Sequence, residues 1–346
     1  MIRAFDHGVI AVRDLDAAQR RYREGLGLDA RPGGRHTGRG TANSIVRFGA
    51  DYLELLAVPD PAAEIAATGE RGRVLVDYLA RREGGLVGYC LATDDAAALA
   101  AHLREAGLDV LGPAVVERVR PDGSVLRWQL VWPGGAQWRR PWPFFIQADT
   151  RDGAPLPVEP AGQHALGATG VVGVAVAVRD RVRGEELYRR QLGLPLVAEG
   201  PEPSLAAWRT AYQLGDFTID VLSPTRPGPL ADEIASVGEG PFALTLAVAS
   251  EARALACLGE AGIAPRPVEW APRGWLIPLE CALGARLVLV TADGVDGDEL
   301  TAEEEAGILA ADQEIAAGQG ISWGDGALRQ LRARSTLGRS SSRHRR

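Results

Sequence analysis

Short apolar runs and amphipathic segments follow one another in a fixed order along the first part of the chain. Residues 5–12 form an apolar run of strand length, and Asp14 then offers an N-cap for a helix whose apolar side chains recur at helical spacing until Gly27. Three further short strands are predicted near residues 28–32, 43–49 and 51–58. The predicted order is therefore β-α-β-β-β.

The same order recurs three more times. The second part has a predicted strand at 86–93, a helix capped by Asp94 or Asp95, and strands near 114–120, 125–132 and 142–148. Parts three (170–223) and four (241–292) follow the pattern less regularly. At an offset of 166 residues, Ala-Val-Arg-Asp at 11–14 matches the same four residues at 177–180. The chain is thus predicted to contain a two-part unit twice.

These patterns predict an α+β protein in which four βαβββ modules pair into two curved-sheet clefts. The predicted domains are 1–148, a linker rich in Pro, Gly and Ala at 149–168, and a second domain at 169–292. A helix is expected at 293–328. The last stretch, 329–346, carries seven arginines and almost no apolar surface, so we expect a disordered tail.

Composition excludes several classes of function. The 346 residues have a net charge of −7, which argues against nucleic acid as a partner except for weak contacts by the basic tail. The absence of lysine excludes Schiff-base chemistry, pyridoxal phosphate and the P-loop. The glycine-rich segment GGRHTGRG does not lead into a helix, so no nucleotide cofactor is expected.

The same inspection bears on location and assembly. No apolar run approaches the ~18 residues that a membrane helix requires, and acids at Asp6, Asp14 and Asp16 do not fit a signal peptide. We therefore expect a cytoplasmic protein with no membrane partner, whose partner is a small-molecule ligand. Either a monomer or a homodimer is compatible with two tandem domains.

Three segments carry a resemblance to a known family. The stretch DHGVIAVRDLDAAQRRYREGLGL, the loop PGGRHTGRGTAN and the strand DYLELL resemble the vicinal oxygen chelate superfamily and its glyoxalase-like domains, well over residues 1–150 and weakly over 170–292. The resemblance implies a divalent metal ion such as Fe, Mn, Ni or Zn. It also implies ligands from the first and fourth strands of both paired modules.

The metal ligands implied for this chain are His7, Glu54 and Gln147. With a period of two, His7 faces the same side of its strand as the following apolar positions, and Glu54 does so on the fourth strand. A buried glutamate is uncommon without a partner, and a salt bridge to Arg47 is the alternative explanation. In the second module Gly88 stands where a histidine is expected, so one ligand is missing.

Other candidate residues would act on a substrate. His36 and Glu54 are the candidate catalytic residues, with His36 placed in a flexible glycine loop as a general acid or base. The candidate substrate-binding residues are Asn43, Arg47, Arg127 and Gln129, which would favour an anionic or oxygen-rich ligand. Four aromatic residues, Trp138, Trp142, Phe144 and Phe145, offer either an apolar wall or core packing.

The second domain lacks most of this set. Gly173 replaces His7 and Ala243 replaces the next first-strand position, whereas Asp220 matches Glu54. We therefore expect a degenerate copy without its own metal.

Three functions remain open from the sequence. The first is a metal-dependent lyase, isomerase or dioxygenase acting on a small oxygen-rich substrate in the first domain. The second is a metal-free protein that sequesters a small molecule in the same cleft, which the glycine at Gly88 favours. The third is an interaction role in which the acidic helix at 301–318 binds a partner.

Overall fold

The computed structural model describes residues 1–134, 138–151, 154–155, 158–270 and 272–291. Within them the chain forms two eight-stranded sheets and one two-stranded ribbon, with helices against the sheets. The predicted α+β class with two curved sheets is confirmed. The helix predicted at 293–328 and the tail predicted at 329–346 lie outside the described residues.

Eight strands within the first domain close into a barrel. They are β1 (Ile2–Val12), β2 (Ala30–His36), β3 (Ala42–Arg47), β4 (Tyr52–Ala57), β5 (Gly84–Thr93), β6 (Val110–Val119), β7 (Val125–Pro133) and β8 (Phe144–Ala148). Their order around the barrel is β1-β4-β3-β2-β6-β7-β8-β5. Strands β1–β4 and β5–β8 are therefore two copies of one module, placed side by side.

The two modules join along two seams. β1 pairs antiparallel with β5, with His7 opposite Cys90. On the other side β2 pairs with β6 over only two positions, one of them His36 opposite Arg118. Because inward-facing side chains alternate along each strand of a barrel, side chains from both modules share one interior.

The helices cover the outside of this barrel. α1 (Leu15–Arg20) begins at Asp14, whose side chain accepts a hydrogen bond from Ala17 N, and continues as a π-helical turn to Gly25. The modules are linked by α2 (Pro61–Thr68) and α3 (Glu70–Arg81). In the second module α4 (Ala96–Glu105) begins at Asp95. Both predicted N-caps are thus confirmed.

The second domain repeats the design without closing it. The ribbon β9 (Thr150–Arg151) and β10 (Ala154–Pro155) precedes it. Its strands are β11 (Ala168–Ala177), β12 (Leu196–Glu202), β13 (Ala207–Leu214), β14 (Phe217–Pro224), β15 (Gly240–Val248), β16 (Arg266–Val268), β17 (Gly274–Leu276) and β18 (Leu287–Thr291). Its helices are α5 (Arg181–Glu185), α6 (Pro229–Val237) and α7 (Glu251–Glu260). The order β12-β13-β14-β11-β15-β18-β17-β16 leaves the first and last strands unpaired with each other, so this sheet stays open.

Buried contacts hold the two domains together. The hydroxyl groups of Tyr89 and Tyr188 contact each other, and both contact the carbonyl of Pro141. Tyr22 donates to the carbonyl of Ala282 at 3.0 Å. One continuous apolar cluster contains residues of both domains. Among the described residues, none of the helices combines the length and apolar character needed to cross a bilayer.

Candidate functional site

A cavity of about 410 Å³ lies inside the closed barrel. Its first half is lined by polar side chains from β1–β4 and their turns, among them Asp6, His7, His36, Asn43 and Glu54. Its second half is lined by Leu126, Trp128, Leu130, Trp138, Phe144 and Ile146. The cavity therefore has one polar and one apolar wall, as is common for small-molecule sites.

His7 is fixed on the polar wall by its neighbours. Its side chain is buried, its ring stacks on Tyr52 at 4.5 Å, and its Nδ1 lies 2.5 Å from Asp6 Oδ1. The register between β1 and β5 shifts between Phe5 and His7, and this bulge frees Asp6 to bond its neighbour. With Nδ1 donating to the carboxylate, the lone pair of the other nitrogen, Nε2, faces the cavity.

Glu54 is buried opposite this histidine. Its Oε2 lies 3.8 Å from His7 Nε2, and its Oε1 accepts a hydrogen bond of 2.6 Å from Asn43 Nδ2. The alternative salt bridge to Arg47 is wrong, since Arg47 donates instead to the carbonyls of Gly49 and Ala50. The predicted convergence of His7 and Glu54 is therefore present in the structure.

His36 completes this group from β2. Its Nε2 lies 3.8 Å from Glu54 Oε1, while its Nδ1 is hydrogen-bonded to Thr41 Oγ1 at 2.9 Å. Burial lowers the pKa of His36 to about 4, and the positive charges of Arg39 and Arg118 lower it further against the opposing effect of Glu54. His36 is therefore neutral at pH 7. The sequence placed it in a loop, whereas it is the last residue of β2.

The three side chains carry nitrogen and oxygen donors of the kinds that a divalent metal ion binds. Bonds from such an ion to nitrogen or carboxylate oxygen measure roughly 2.0–2.2 Å, so two atoms on one ion lie at most ~4.2 Å apart. His7 Nε2 lies 3.8 Å from Glu54 Oε2 and His36 Nε2 lies 3.8 Å from Glu54 Oε1, so each histidine is within that limit of a different carboxylate oxygen. Two histidines and one carboxylate also form the donor set of many iron enzymes. Each histidine holds its Nδ1 in another hydrogen bond, as metal-bound histidines do.

A second grouping is less suited to a metal. Ligand atoms of Asp6, His7 and Cys90 lie within 4.8 Å of one another. The Asp6 and His7 atoms already bond each other, and burial together with the charges of Asp6 and Glu54 raises the pKa of the Cys90 thiol well above its usual range. A protonated thiol is a poor ligand. Within the described residues the group of three whose ligand atoms all lie within 4.8 Å of one another is Asp6, His7 and Cys90. His7, His36 and Glu54 are preferred here for their donor chemistry alone.

The prediction for Gln147 is wrong. Gln147 Oε1 accepts a hydrogen bond from Ala96 N and so caps α4 outside the cavity. Cys90 lies two residues after Gly88, just as Val9 lies two residues after His7. Val9 pairs with Glu54 on β4, and Cys90 pairs with Phe144 on β8. Phe144 therefore occupies the position that corresponds to Glu54. One residue of register moves every side chain of a strand to the opposite face.

Aromatic rings fill the space that the missing ligands leave. A Cβ atom at Gly88 would lie 3.3 Å from Trp138 and 3.5 Å from Phe144. Phe144 also contacts the His7 ring edge-on at 5.3 Å. Trp142 and Phe145 instead pack in the main core. Two of the four candidate aromatic residues thus form an apolar wall.

The predictions for Arg127 and Gln129 are corrected by the alternation of β7. Leu126, Trp128 and Leu130 face the cavity, so their neighbours face outward. Arg127 stands at the cavity rim, more than half exposed, and pairs with Glu117 at 2.5 Å. Gln129 is exposed and does not line the cavity. Gln129 is therefore not placed to bind a substrate inside, whereas Arg127 lines the cavity at its rim.

Two predicted polar residues do line the cavity, and one buried arginine was missed. Asn43 and Arg47 are 4% and 7% exposed. Arg118 on β6, 4% exposed, lies on the same cavity and pairs with Glu159 of the interdomain linker. Only the alternation of β6 could have indicated it, because Ala114, Val116 and Arg118 share the inner face.

The second domain carries the remains of a corresponding site. At the offset of 166, Asp220 corresponds to Glu54 and Arg209 to Asn43. Arg209 donates to Asp220 at 2.8 Å, so the acid is paired with an arginine instead of two histidines. Burial raises the pKa of Asp220 to about 6, although the Arg209 charge opposes this. This pairing is consistent with a degenerate copy.

A pH-dependent stability difference follows from Asp220. An unfolded aspartate has a pKa of about 3.9, so between pH 4 and 6 the folded state binds the extra proton. Protonation of Asp220 therefore stabilises the folded protein. This contribution is complete below pH 4 and is lost as the pH rises through 6, which lowers the free energy of unfolding by roughly 3 kcal/mol. Asp220→Asn is expected to lack this loss in urea unfolding measured from pH 4 to 7. A free-energy difference between variant and wild type that stays constant with pH would contradict the assignment.

Comparison with known proteins agrees with this architecture. The family model of the glyoxalase-like domain matches residues 5–187. No curated protein matches the sequence significantly. A hypothetical protein from Staphylococcus aureus is 18% identical, with a TM-score of 0.56 over 83% of this chain and 98% of that chain.

Two further solved structures share the fold. A triple mutant of 4-hydroxymandelate synthase from Streptomyces coelicolor is 13% identical, with a TM-score of 0.59 over 86% of this chain and 95% of that chain. A xylose isomerase-like TIM barrel/4-hydroxyphenylpyruvate dioxygenase fusion protein is 13% identical, with a TM-score of 0.50 over 92% of this chain and 53% of that chain. Since the family model spans more than half of the chain and paired βαβββ modules are present, the chain belongs to the glyoxalase-like domain family of the vicinal oxygen chelate superfamily.

Proposed function

We propose that this protein is a metal-dependent enzyme that converts a small oxygen-rich substrate inside the first barrel. One observation carries the proposal: the Nε2 atoms of His7 and His36 both lie 3.8 Å from the Glu54 carboxylate, on the wall of a cavity that could hold a small molecule. A divalent ion bound there would polarise the oxygen atoms of a substrate, as the lyases, isomerases and dioxygenases of this superfamily require.

The chain's own residues prepare the site in three ways. Asp6 holds His7 in the tautomer whose Nε2 faces the cavity. Asn43 donates to Glu54 and so restricts the rotation of its carboxylate. Neutral His36 keeps one ring nitrogen with an available lone pair at physiological pH, because its pKa is about 4. We therefore infer that His36 serves as a third ligand, rather than as the separate acid or base suggested by its sequence context.

The apolar wall performs a different task. Trp128, Trp138 and Phe144 exclude water from the side of the cavity where a second pair of ligands would stand. A substrate with one oxygen-rich end and one apolar end matches the two walls. Lower water content also strengthens every polar interaction within the cavity.

A metal-free binding protein is the second candidate, and a specific observation favours it. Gly88 and Phe144 occupy the positions that would supply ligands from the second module. A site with donors from one module holds an ion with fewer protein bonds. The same cavity could then sequester a ligand through its aromatic wall alone.

Metal analysis separates the two candidates. Purified protein is stripped with a chelator, then titrated with Mn²⁺, Fe²⁺, Ni²⁺ and Zn²⁺, with metal content and thermal stability as readouts. The enzyme proposal predicts one ion per chain and stabilisation of roughly 2.7 kcal/mol at a hundredfold excess over the dissociation constant. If none of the four ions binds stoichiometrically, the enzyme proposal is wrong and the binding protein is supported.

A further inference from the structure

Resting on the proposed function, we infer that the substrate is an organic acid whose carboxylate binds Arg47 and Arg118 in the position that Glu159 of the linker now occupies. The inference names a substrate class for the cavity: an apolar, preferably aromatic body with one carboxylate. It depends on the charge balance of two buried guanidinium groups.

Both arginines are nine-tenths buried and incompletely paired. Arg47 is 7% and Arg118 is 4% exposed, and in each the Nε is buried without a hydrogen-bond partner. Arg47 donates only to backbone carbonyls, at 3.2 and 3.3 Å, and lies over the Tyr52 ring at 4.5 Å. A buried cation with free donors is costly unless an anion meets it.

Among the described residues, the carboxylate within ion-pair distance of both arginines is that of Glu159. Its Oε1 accepts from Arg118 and, at 3.1 Å, from Arg120 Nε. Its Oε2 has no hydrogen-bond partner and lies 3.8 Å from Arg47 Nη2. Two buried guanidinium groups thus share a single carboxylate, which engages one of them well and the other poorly. A ligand carboxylate could bind both with paired hydrogen bonds.

The other cavity arginines do not offer this opportunity. Arg39 is paired with Glu64 through two nitrogen atoms, at 2.5 and 2.9 Å. Arg127 is paired with Glu117 at the rim. Arg47 and Arg118 are therefore the cavity arginines that share one carboxylate and keep a buried Nε without a hydrogen-bond partner.

The arginine pair adjoins the candidate metal ligands. A Cβ atom at Gly33 would lie 2.2 Å from Asn43 Oδ1 and 2.9 Å from Arg118 Nη1. The side chains of Asn43 and Arg118 therefore lie close to each other beside this glycine. Asn43 in turn donates to Glu54. A carboxylate on Arg118 therefore places the neighbouring carbon and oxygen atoms of the substrate beside Glu54. The aromatic wall lies across the cavity and would receive the apolar body.

The test uses phenylacetate and its neutral isostere phenylacetamide. Tryptophan fluorescence reports binding directly, because Trp128 and Trp138 line the cavity. The inference predicts that phenylacetate binds at least about tenfold more tightly than phenylacetamide, since charged hydrogen bonds exceed neutral ones by roughly twofold in strength.

Variants identify the groups responsible. Glu159→Gln removes the competing carboxylate and should tighten phenylacetate binding several-fold, whereas Arg118→Met should weaken it about tenfold or more. Arg47→Met gives a second reading if Arg118→Met does not fold. The matched controls are Arg190→Met and Glu186→Gln, an exposed ion pair that does not line the cavity and whose loss should leave the affinity unchanged.

Several outcomes would overturn the inference. One is equal affinity for phenylacetate and phenylacetamide. Another is that Glu159→Gln binds phenylacetate more weakly than the wild type does, or shows no saturable binding of it. All titrations are run on chelator-treated protein. If the chelator-treated protein shows no preference for the carboxylate, the arginine site is wrong and the proposed metal-dependent function is unaffected. If the protein does not bind metal, the proposed function is wrong and the arginine site is unaffected.

Discussion

Glu54→Gln is expected to weaken divalent metal binding by at least ~100-fold while the protein stays folded, because ligand-sphere changes have effects of this size or larger. The substitution removes the negative charge between His7 and His36 but keeps the shape of the side chain. The amide oxygen can still accept the hydrogen bond from Asn43 Nδ2. The measurement is a competition titration with a chromophoric chelator, supported by metal analysis after dialysis.

Two histidine variants extend this prediction. His7→Ala and His36→Ala should each reduce affinity strongly, since each removes a nitrogen 3.8 Å from the Glu54 carboxylate. His102→Ala, whose ring contacts the carbonyl of Gln191 outside the cavity, is the matched control. Unchanged affinity in His36→Ala would show that His36 is not a ligand and would return it to a role as acid or base. Full affinity in Glu54→Gln would refute the metal site itself.

Arg39→Met is expected to lower the free energy of unfolding by about 3–5 kcal/mol, the usual effect of leaving a buried charge alone. Its partner Glu64 is fully buried and accepts from Arg39 Nε and Nη2, from Gly40 N and from Thr68 Oγ1. Without the guanidinium the carboxylate keeps only neutral donors. Urea unfolding at pH 7 measures the loss.

The double variant Arg39→Met/Glu64→Leu should recover most of this stability, because no charge is then buried without its partner. Arg190→Met is the control. It breaks an exposed pair with Glu186 and should change stability by less than about 1 kcal/mol. A single variant that loses no more than this control would show that the Arg39–Glu64 pair contributes little.

The site could be predicted from sequence only where local periodicity determines which way a side chain faces. His7 and Glu54 lie in regular apolar strands, and the structure brings them together. Gln147 lies in a short aromatic strand where apolar residues occupy both faces, so the pattern did not define the register and the prediction was wrong. In β7, Leu126, Trp128 and Leu130 line the cavity, so Gln129 lies on the other face of the strand and the prediction for it was wrong.

By itself the sequence determined the module order, the internal duplication, the helix caps and the convergence of one histidine with one glutamate. These properties follow from hydrophobic period, capping residues and residue matches within single segments. Tertiary structure alone decided that the barrel closes through β2 and β6, which brings His36 to Glu54 and Arg118 to the cavity. It also decided that Trp138 and Phe144 fill the other half and that Glu159 meets the arginines. Such contacts join residues distant in sequence, and they depend on strand pairing and packing that no local pattern encodes.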